Sequence, residues 1–183
     1  MVSDERSGRV SFRRLAESDV PLLHRWLNRP HVVEWWDRPG PGIADVRAKY
    51  LPETSSDTDF TPYLALLEDG PIGYVQVYPV ATGAWALPDA PAGAGVDLFI
   101  GDAGRLHRGL GPRILRAFLR DVVFRNAAIA VCYIDPSPRN HAAIRAFEKA
   151  GFRRVADVAD PDTGRPLRLM RIRRDEIEGR TSA

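Results

Sequence analysis

A chain of 183 residues, 44% of them hydrophobic and with a net charge of +2 at neutral pH, is sized for one globular domain with its own core. It has no apolar run of membrane-span length and no N-terminal apolar stretch of signal-peptide type. Its only cysteine is Cys132, which excludes a disulfide framework and a cysteine-based zinc site. The expectation is a single cytoplasmic domain over residues 1–183, with an ordered core from about residue 9 to about 175.

Val10 to Arg14 alternates apolar and polar residues and reads as a first strand. In AESDVPLLHRWLNRP, Ser18 or Asp19 caps a helix, Pro21 fits its early turn, and Leu22, Leu23, Trp26 and Leu27 form the apolar face. Pro30 ends it, and the prolines and glycines of HVVEWWDRPGPG break regular structure. Ile43 to Leu51 makes a short second helix, and PETSSDTDF is a polar loop. In TPYLALLEDGPIGYVQVYPV two β-rich runs flank Glu68-Asp69-Gly70-Pro71, a hairpin signal. Residues 81–93, rich in Ala, Gly and Pro, read as a loop, and 94–100 as a strand. Leu110 to Phe124 carries a helical apolar stripe, 129–134 is a buried strand, and Asn140 to Ala150 is a helix closed by Gly151. Phe152–Val158 and Leu167–Arg173 form a last strand pair, and the tail after Asp175 frays. The fold class is α/β: one mixed sheet flanked by helices, with one parallel crossover from strand 94–100 to strand 129–134.

The small net charge hides an asymmetry. Residues 41–102 hold nine acids against two bases, and residues 103–154 hold eleven bases against three acids. Most of these charges read as solvated faces; the sharper reading is a site with two poles, one for an anionic and one for a cationic ligand. Nucleic acid would use only the basic half and is not expected as a partner. The four histidines, His24, His31, His107 and His141, lack metal-ligand spacing, so no metal is expected.

RLHRGLGPRIL, residues 105–115, joins a strand to a helix. Backbone N–H groups at a helix start have no intrahelical partner, and the helix dipole is positive there. Glycines admit close approach, and Pro112 costs nothing in a first turn. The stretch suits a phosphate, with Arg105 and Arg108 adding charge. It is neither a P-loop, since Leu110-Gly111 follows Gly109 where Lys and a hydroxyl are required, nor a dinucleotide fingerprint. Arg113, Arg116 and Arg120 read as a solvated face.

Two blocks in this order, HRGLGPRIL after a strand and then IDPSPRNHAAIRAFEKAGF, resemble the GCN5-related N-acetyltransferases (GNAT family). WLNRPHVVEWWDRP, TPYLALLEDGPIGYVQVY and GVDLFI extend the resemblance to the aminoglycoside 6'-N-acetyltransferases, from about Leu15 to about Arg173. The resemblance implies a mostly antiparallel GNAT sheet with one central parallel pair, and acetyl-CoA as co-substrate. Its pyrophosphate would lie on Arg105, His107, Arg108, Gly109, Leu110, Gly111 and Pro112, although Leu106 stands where the family usually has Gln or Arg. Leu98, Phe99 and Ile100 would pair with the pantetheine arm, with the oxyanion held by a backbone N–H near Phe99. Asn140 and Phe147 belong to the second block; many relatives carry Tyr at the latter position, whose hydroxyl protonates the departing thiolate. Tyr133 and His107 are substitutes for that proton donor.

Transfer to an amine requires a neutral nucleophile, and a cationic aminosugar requires anionic walls. Asp97, inside an apolar strand, is expected at a cleft or beside a partner, because a lone buried carboxylate is expensive; the alternative is a strand residue facing solvent. Asp135 ends the next parallel strand, where ligands gather, or forms an Asx-turn before Pro136. The resemblance implies that both grip ammonium groups and that one takes the proton. It also implies that Glu34, Trp35, Trp36 and Asp37 border the aminosugar pocket. Tyr63 and Tyr74 read as packing, and Cys132 as a buried small residue or an acyl carrier. The expected partner is a small-molecule amine, with neither nucleic acid nor membrane, and a monomer or homodimer. Two other readings stand beside it. Siderophore-pathway N-acyltransferases tend to carry His where this chain has Asp97 and Pro138. A non-catalytic CoA sensor has only Phe147 in its favour.

Overall fold

The computed structural model describes residues 8–36, 40–51, 59–68 and 70–178; Asp37 and Asp69 lie outside them. Seven strands form one sheet in the order β1-β2-β3-β4-β5-β7-β6: β1 Val10–Arg14, β2 Thr61–Leu67, β3 Gly70–Val80, β4 Gly93–Ile100, β5 Val131–Ile134, β6 Arg153–Ala159 and β7 Pro166–Arg173. β4 and β5 run parallel; β1 with β2, β5 with β7 and β6 with β7 run antiparallel. The chain resolves into two compact units. The first takes the residues up to Gln76 together with Leu98–Leu110, and the second Val77–Asp97 together with the residues from Gly111 on.

In the first unit, α1 (Val20–Leu27) buries Val20, Leu23, Trp26 and Leu27, a stripe at helical spacing that packs on Leu15, Leu64 and Tyr74. Asp19, 6% exposed, accepts both terminal guanidinium nitrogens of Arg13, at 2.5 and 2.8 Å, and the Ala16 N–H at 2.8 Å. The Arg13 bond, foremost, holds the Asp19 carboxyl below the usual range. Pro30 does more than stop α1. Arg29 before it is extended, and Pro30 opens a further short helix, α2 (Pro30–Val33), in a stretch expected to be irregular. α3 (Ile43–Tyr50) adds Val46 and Tyr50 to the core.

In the second unit the expected helix over 110–124 is not uniform. α4 spans Leu110–Phe118, and Leu119–Val123 is π-helical, with the Phe124 N–H donating to the Leu119 carbonyl. The Arg174 guanidinium donates to the carbonyls of Phe124, Asn126 and Ile129 just beyond. That docking gives order where a frayed tail was expected: α6 occupies Arg174–Glu178. The buried strand is shorter than expected, starting at Val131 rather than Ile129. α5 (His141–Ala150) buries Ile144, Phe147 and Ala150, and Gly151 closes it at φ 115°. Among the described residues no helix is long and apolar enough to cross a membrane.

Candidate active site

The acidic site is built on β4 and β5 of the second unit. Their parallel ladder pairs Ala94 with Cys132 and Gly95 with Tyr133. Asp97 follows Gly95 by two residues on β4, and Asp135 stands one residue past the end of β5, two beyond Tyr133; the charges of both act on the Tyr78 phenol. Both aspartates are half-buried. A Cβ at residue 95 would collide with Cε2 and Cζ of Tyr78, so the glycine there makes room for the Tyr78 ring.

Trp85 comes from a 3₁₀ turn, Ala84–Ala86, inside the segment expected to be loop. Its Nε1–H donates to Asp135 Oδ2 at 3.1 Å, and its ring lies 5.3 Å from that of Tyr133. Trp85 and Ala86 both adopt φ 55°, a left-handed backbone unusual for side chains with a Cβ. The indole thus reaches Asp135 from a strained turn. Burial, above all, pushes the Asp135 carboxyl up from its ordinary value; the Trp85 bond works against that and the nearby Asp160 charge adds to it. The Tyr78 hydroxyl is pushed well above the ordinary tyrosine range, first by burial and then by the charges of Asp97 and Asp135. An uncharged phenol therefore stands near two carboxyl groups, which suits a cationic guest and a group that accepts its proton.

Cys132 is fully buried, and burial pushes its thiol up, so it lacks the thiolate an acyl carrier requires. The Tyr133 hydroxyl donates to the Pro91 carbonyl at 2.9 Å. Asn140 caps α5 by accepting the Ala143 N–H at 3.1 Å, and Phe147 is buried with its ring 6.4 Å from Phe152.

The glycine-containing loop is reached from the first unit. Asp102 accepts the Gly104 N–H at 3.0 Å and starts a 3₁₀ turn over Ala103–Arg105. His107 at φ 60° and Gly109 at φ 78° then turn the backbone into α4, which begins at Leu110. Nothing lies within 4 Å of where a Cβ on Gly109 would stand. His107, Arg108 and Gly109 are exposed and Arg105 is half-buried. An open, positively curled backbone at a helix start, flanked by two arginines, fits the diphosphate of a coenzyme A group.

Elsewhere in the first unit, Phe99 stacks on Tyr74 at 5.4 Å and meets the edges of Trp36 at 4.9 Å and Trp26 at 6.3 Å. The Trp36 indole donates to the Tyr50 hydroxyl at 2.9 Å, so Trp36 serves the core. Trp35, its neighbour, is 41% exposed, and Glu34 is exposed as well. The Ile100 carbonyl is bonded by His31 Nε2 at 3.0 Å. Among the described residues no cluster of three or more His, Cys, Asp or Glu is placed to hold a metal.

Tyr78, Trp85 and His31 join the surroundings of these strands without standing out in the sequence. Two signals were present: a lone tryptophan in an Ala/Gly/Pro-rich loop, and a glycine two residues before a strand aspartate.

Residues 16–159 match the acetyltransferase (GNAT) domain family. The chain is 40% identical over 159 residues to the aminoglycoside N(6')-acetyltransferase type 1 of Klebsiella pneumoniae, covering 84% of this chain and 78% of that enzyme. It superposes on the crystal structure of the aminoglycoside acetyltransferase AAC(6')-Ib in complex with coenzyme A and kanamycin with a TM-score of 0.82. That match has 39% identity and covers 96% of this chain and all of the other. A more distant similarity, 27% over 142 residues, links it to the lysine N-acyltransferase MbtK of Mycobacterium tuberculosis, covering 73% of this chain and 64% of that protein.

Proposed function

The chain belongs to the acetyltransferase (GNAT) domain family, and from that premise we propose an acetyl-CoA-dependent transfer to a primary amine of an aminoglycoside or similar polycationic aminosugar, with the 6'-amine as the expected position. The observation that carries this reading is the acidic pair of Asp97 and Asp135, in a chain similar over most of its length to an aminoglycoside acetyltransferase.

Acetyl-CoA supplies, when bound, the acetyl thioester. The loop from Arg105 to Gly109 and the first amides of α4 hold its diphosphate, with Arg105 and Arg108 countering the charge. Leu98, Phe99 and Ile100 offer backbone groups to the pantetheine arm. Asp97 directly precedes Leu98 on β4, so the strand that holds the donor also carries a carboxylate for the acceptor.

Asp97 and Asp135 grip the ammonium groups of the aminosugar, and one of them takes the proton that the attacking ammonium must lose. The freed amine forms the C–N bond as the C–S bond breaks; the nitrogen then releases its second proton to solvent, and the thiolate collects one from solvent. Phe147 has none to give, and the Tyr133 hydroxyl is occupied by Pro91. The exposed Glu34 and Trp35 extend the acceptor site; a tryptophan face attracts ammonium.

A steady-state screen with acetyl-CoA tests the reading, with kanamycin-type aminoglycosides set against lysine and N6-hydroxylysine as acceptors. Turnover confined to the aminoglycosides is expected. Turnover confined to the lysine-type amines would move the chain to the siderophore reading, and turnover with neither would remove the amine assignment.

A further inference from the structure

The turn over Ala84–Ala86 holds two residues with side chains in a backbone conformation that disfavours them. Trp85 and Ala86 both adopt φ 55°, where a Cβ crowds the main chain. Packing accounts for part of this. Ala84, Trp85 and Leu87 rest on the cluster of Val80, Val131, Tyr133 and Leu169. The segment also closes on itself: the Gly83 N–H donates to the Ala90 carbonyl at 3.0 Å, and the Leu87 N–H to the Ala84 carbonyl at 3.1 Å. Packing, however, asks only for an apolar ring. It does not ask for an indole N–H, which must find an acceptor when buried. The turn sets that N–H 3.1 Å from Asp135 Oδ2, across 50 residues of chain. The indole is fixed from the side as well. Its ring leans on that of Tyr133 at 5.3 Å, and the Tyr133 hydroxyl is tied to the Pro91 carbonyl at the far end of the same segment.

We propose that Trp85 is a positioning residue for Asp135: its indole N–H, aimed by the left-handed turn, fixes Oδ2, keeps the carboxylate charged and leaves its other lone pairs to the ammonium of the guest. The inference rests on the reading that Asp135 serves the amine.

A carboxylate offers about four lone-pair sites, so one N–H donor restricts its rotation without closing it to a guest. A hydrogen bond to the charged form favours ionisation. At Asp135 that bond opposes burial and the charge of Asp160 in the β6–β7 turn, and the backbone N–H of Asp135 itself works in the same direction as Trp85. The other titratable groups around it are Tyr78 of β3, which feels the charges of Asp97 and Asp135, and Tyr133 of β5, which feels Arg171 and Arg173 of β7. The buried Cys132 thiol of β5 stays neutral.

Trp85→Phe keeps an aromatic ring beside Tyr133 and removes the N–H. Loss of a hydrogen bond to a charged group is expected to move the acidic limb of the kcat/KM profile for kanamycin up by about one pH unit. Below that limb activity falls about tenfold beyond the wild type, with acetyl-CoA affinity unchanged. An acidic limb in its wild-type place, whatever happens to turnover, would overturn the proposal, because a tryptophan that only packs does not move it. Proton–nitrogen NMR of the four tryptophan indoles gives a readout free of turnover. The assigned Trp85 indole proton is expected to titrate with the Asp135 carboxyl in the wild type and to move to higher field in Asp135→Asn. A Trp85 signal that ignores both would overturn the claim, and this measurement decides it if Trp85→Phe does not fold. If the wild-type protein acetylates no aminoglycoside, the acceptor reading fails while the indole titration still decides whether Trp85 holds Asp135.

Discussion

Tyr74 and Tyr78 share one face of β3, four residues apart, and do different work. Tyr74, in the first unit, is fully buried, stacks on Phe99 and donates to Gln76 at 2.8 Å. Tyr78, in the second, seats on a glycine among carboxyl groups. The tryptophans divide in the same way: Trp36 gives its N–H to a tyrosine of the core, and Trp85 gives its own to Asp135. The carboxylates diverge as well. Arg13 holds Asp19 of the first unit below the usual range, whereas burial lifts Asp135 of the second above it. The first unit uses aromatic and charged groups to stabilise a core. The second keeps charge in a setting that disfavours it, the mark of a site selected for chemistry rather than stability.

The largest effect expected from breaking this contrast is on catalysis. Asp135→Asn is expected to lower kcat/KM by about two to four powers of ten, measured by steady-state kinetics with kanamycin. The same variant is expected to be as stable as wild type at neutral pH, or more so. The sign follows from linkage: a carboxyl raised above its unfolded value binds protons more readily in the native state, so its ionisation costs stability as pH rises through the interval between the two values. Urea denaturation should show the gain at neutral pH disappearing below the ordinary carboxylate range.

Asp19→Asn is expected to behave in the opposite manner. A depressed carboxyl contributes stability above its unfolded pKa and loses it as pH falls through the folded one. Because Arg13 is 44% exposed, solvent screening limits the expected loss to about 1–2 kcal/mol at neutral pH, vanishing in acid, by urea denaturation. A loss of the same size at all pH values would assign the effect to packing.

The two adjacent tryptophans sharpen the contrast further. Trp36→Ala is expected to cost about 2–3 kcal/mol of stability, at the lower end for a large aromatic because the residue is only half-buried. Trp35→Ala is expected to change stability by less than about 0.5 kcal/mol and raise KM for the aminosugar about two- to fivefold. The smallest effect is expected from Phe147→Tyr, with kcat equal to wild type or above; a large loss would mean that the buried ring site near Phe152 rejects a hydroxyl.

Most of the fold was legible because its signals are local. The stripe of α1, the flanks of the β2–β3 hairpin, Asn140 as a cap and Gly151 as a stop are each written within a few residues. The π-helical stretch at Leu119–Val123 was not, since an apolar stripe has nearly the same look through a π turn, and the carbonyls just beyond it, from Phe124 on, are met by Arg174, some 50 residues later. The site was legible where composition is unusual: carboxylates in apolar strands, and glycines beside arginines before a helix. Tyr78 and Trp85 escaped because their roles arise only when β3 and the 83–90 segment fold against β4 and β5. Strand alternation alone gives Tyr74 and Tyr78 the same description.

The central claim is that this chain acetylates an aminosugar amine, with Asp97 and Asp135 receiving the cation. Mass spectrometry of kanamycin incubated with acetyl-CoA and the wild-type protein, with the Asp97→Asn/Asp135→Asn double variant alongside, tests it most directly. The account predicts a product heavier by one acetyl group, placed by fragmentation on the 6'-amine, formed by the wild type and at most in traces by the double variant. Unmodified kanamycin in the wild-type reaction, or equal product from both proteins, would contradict it.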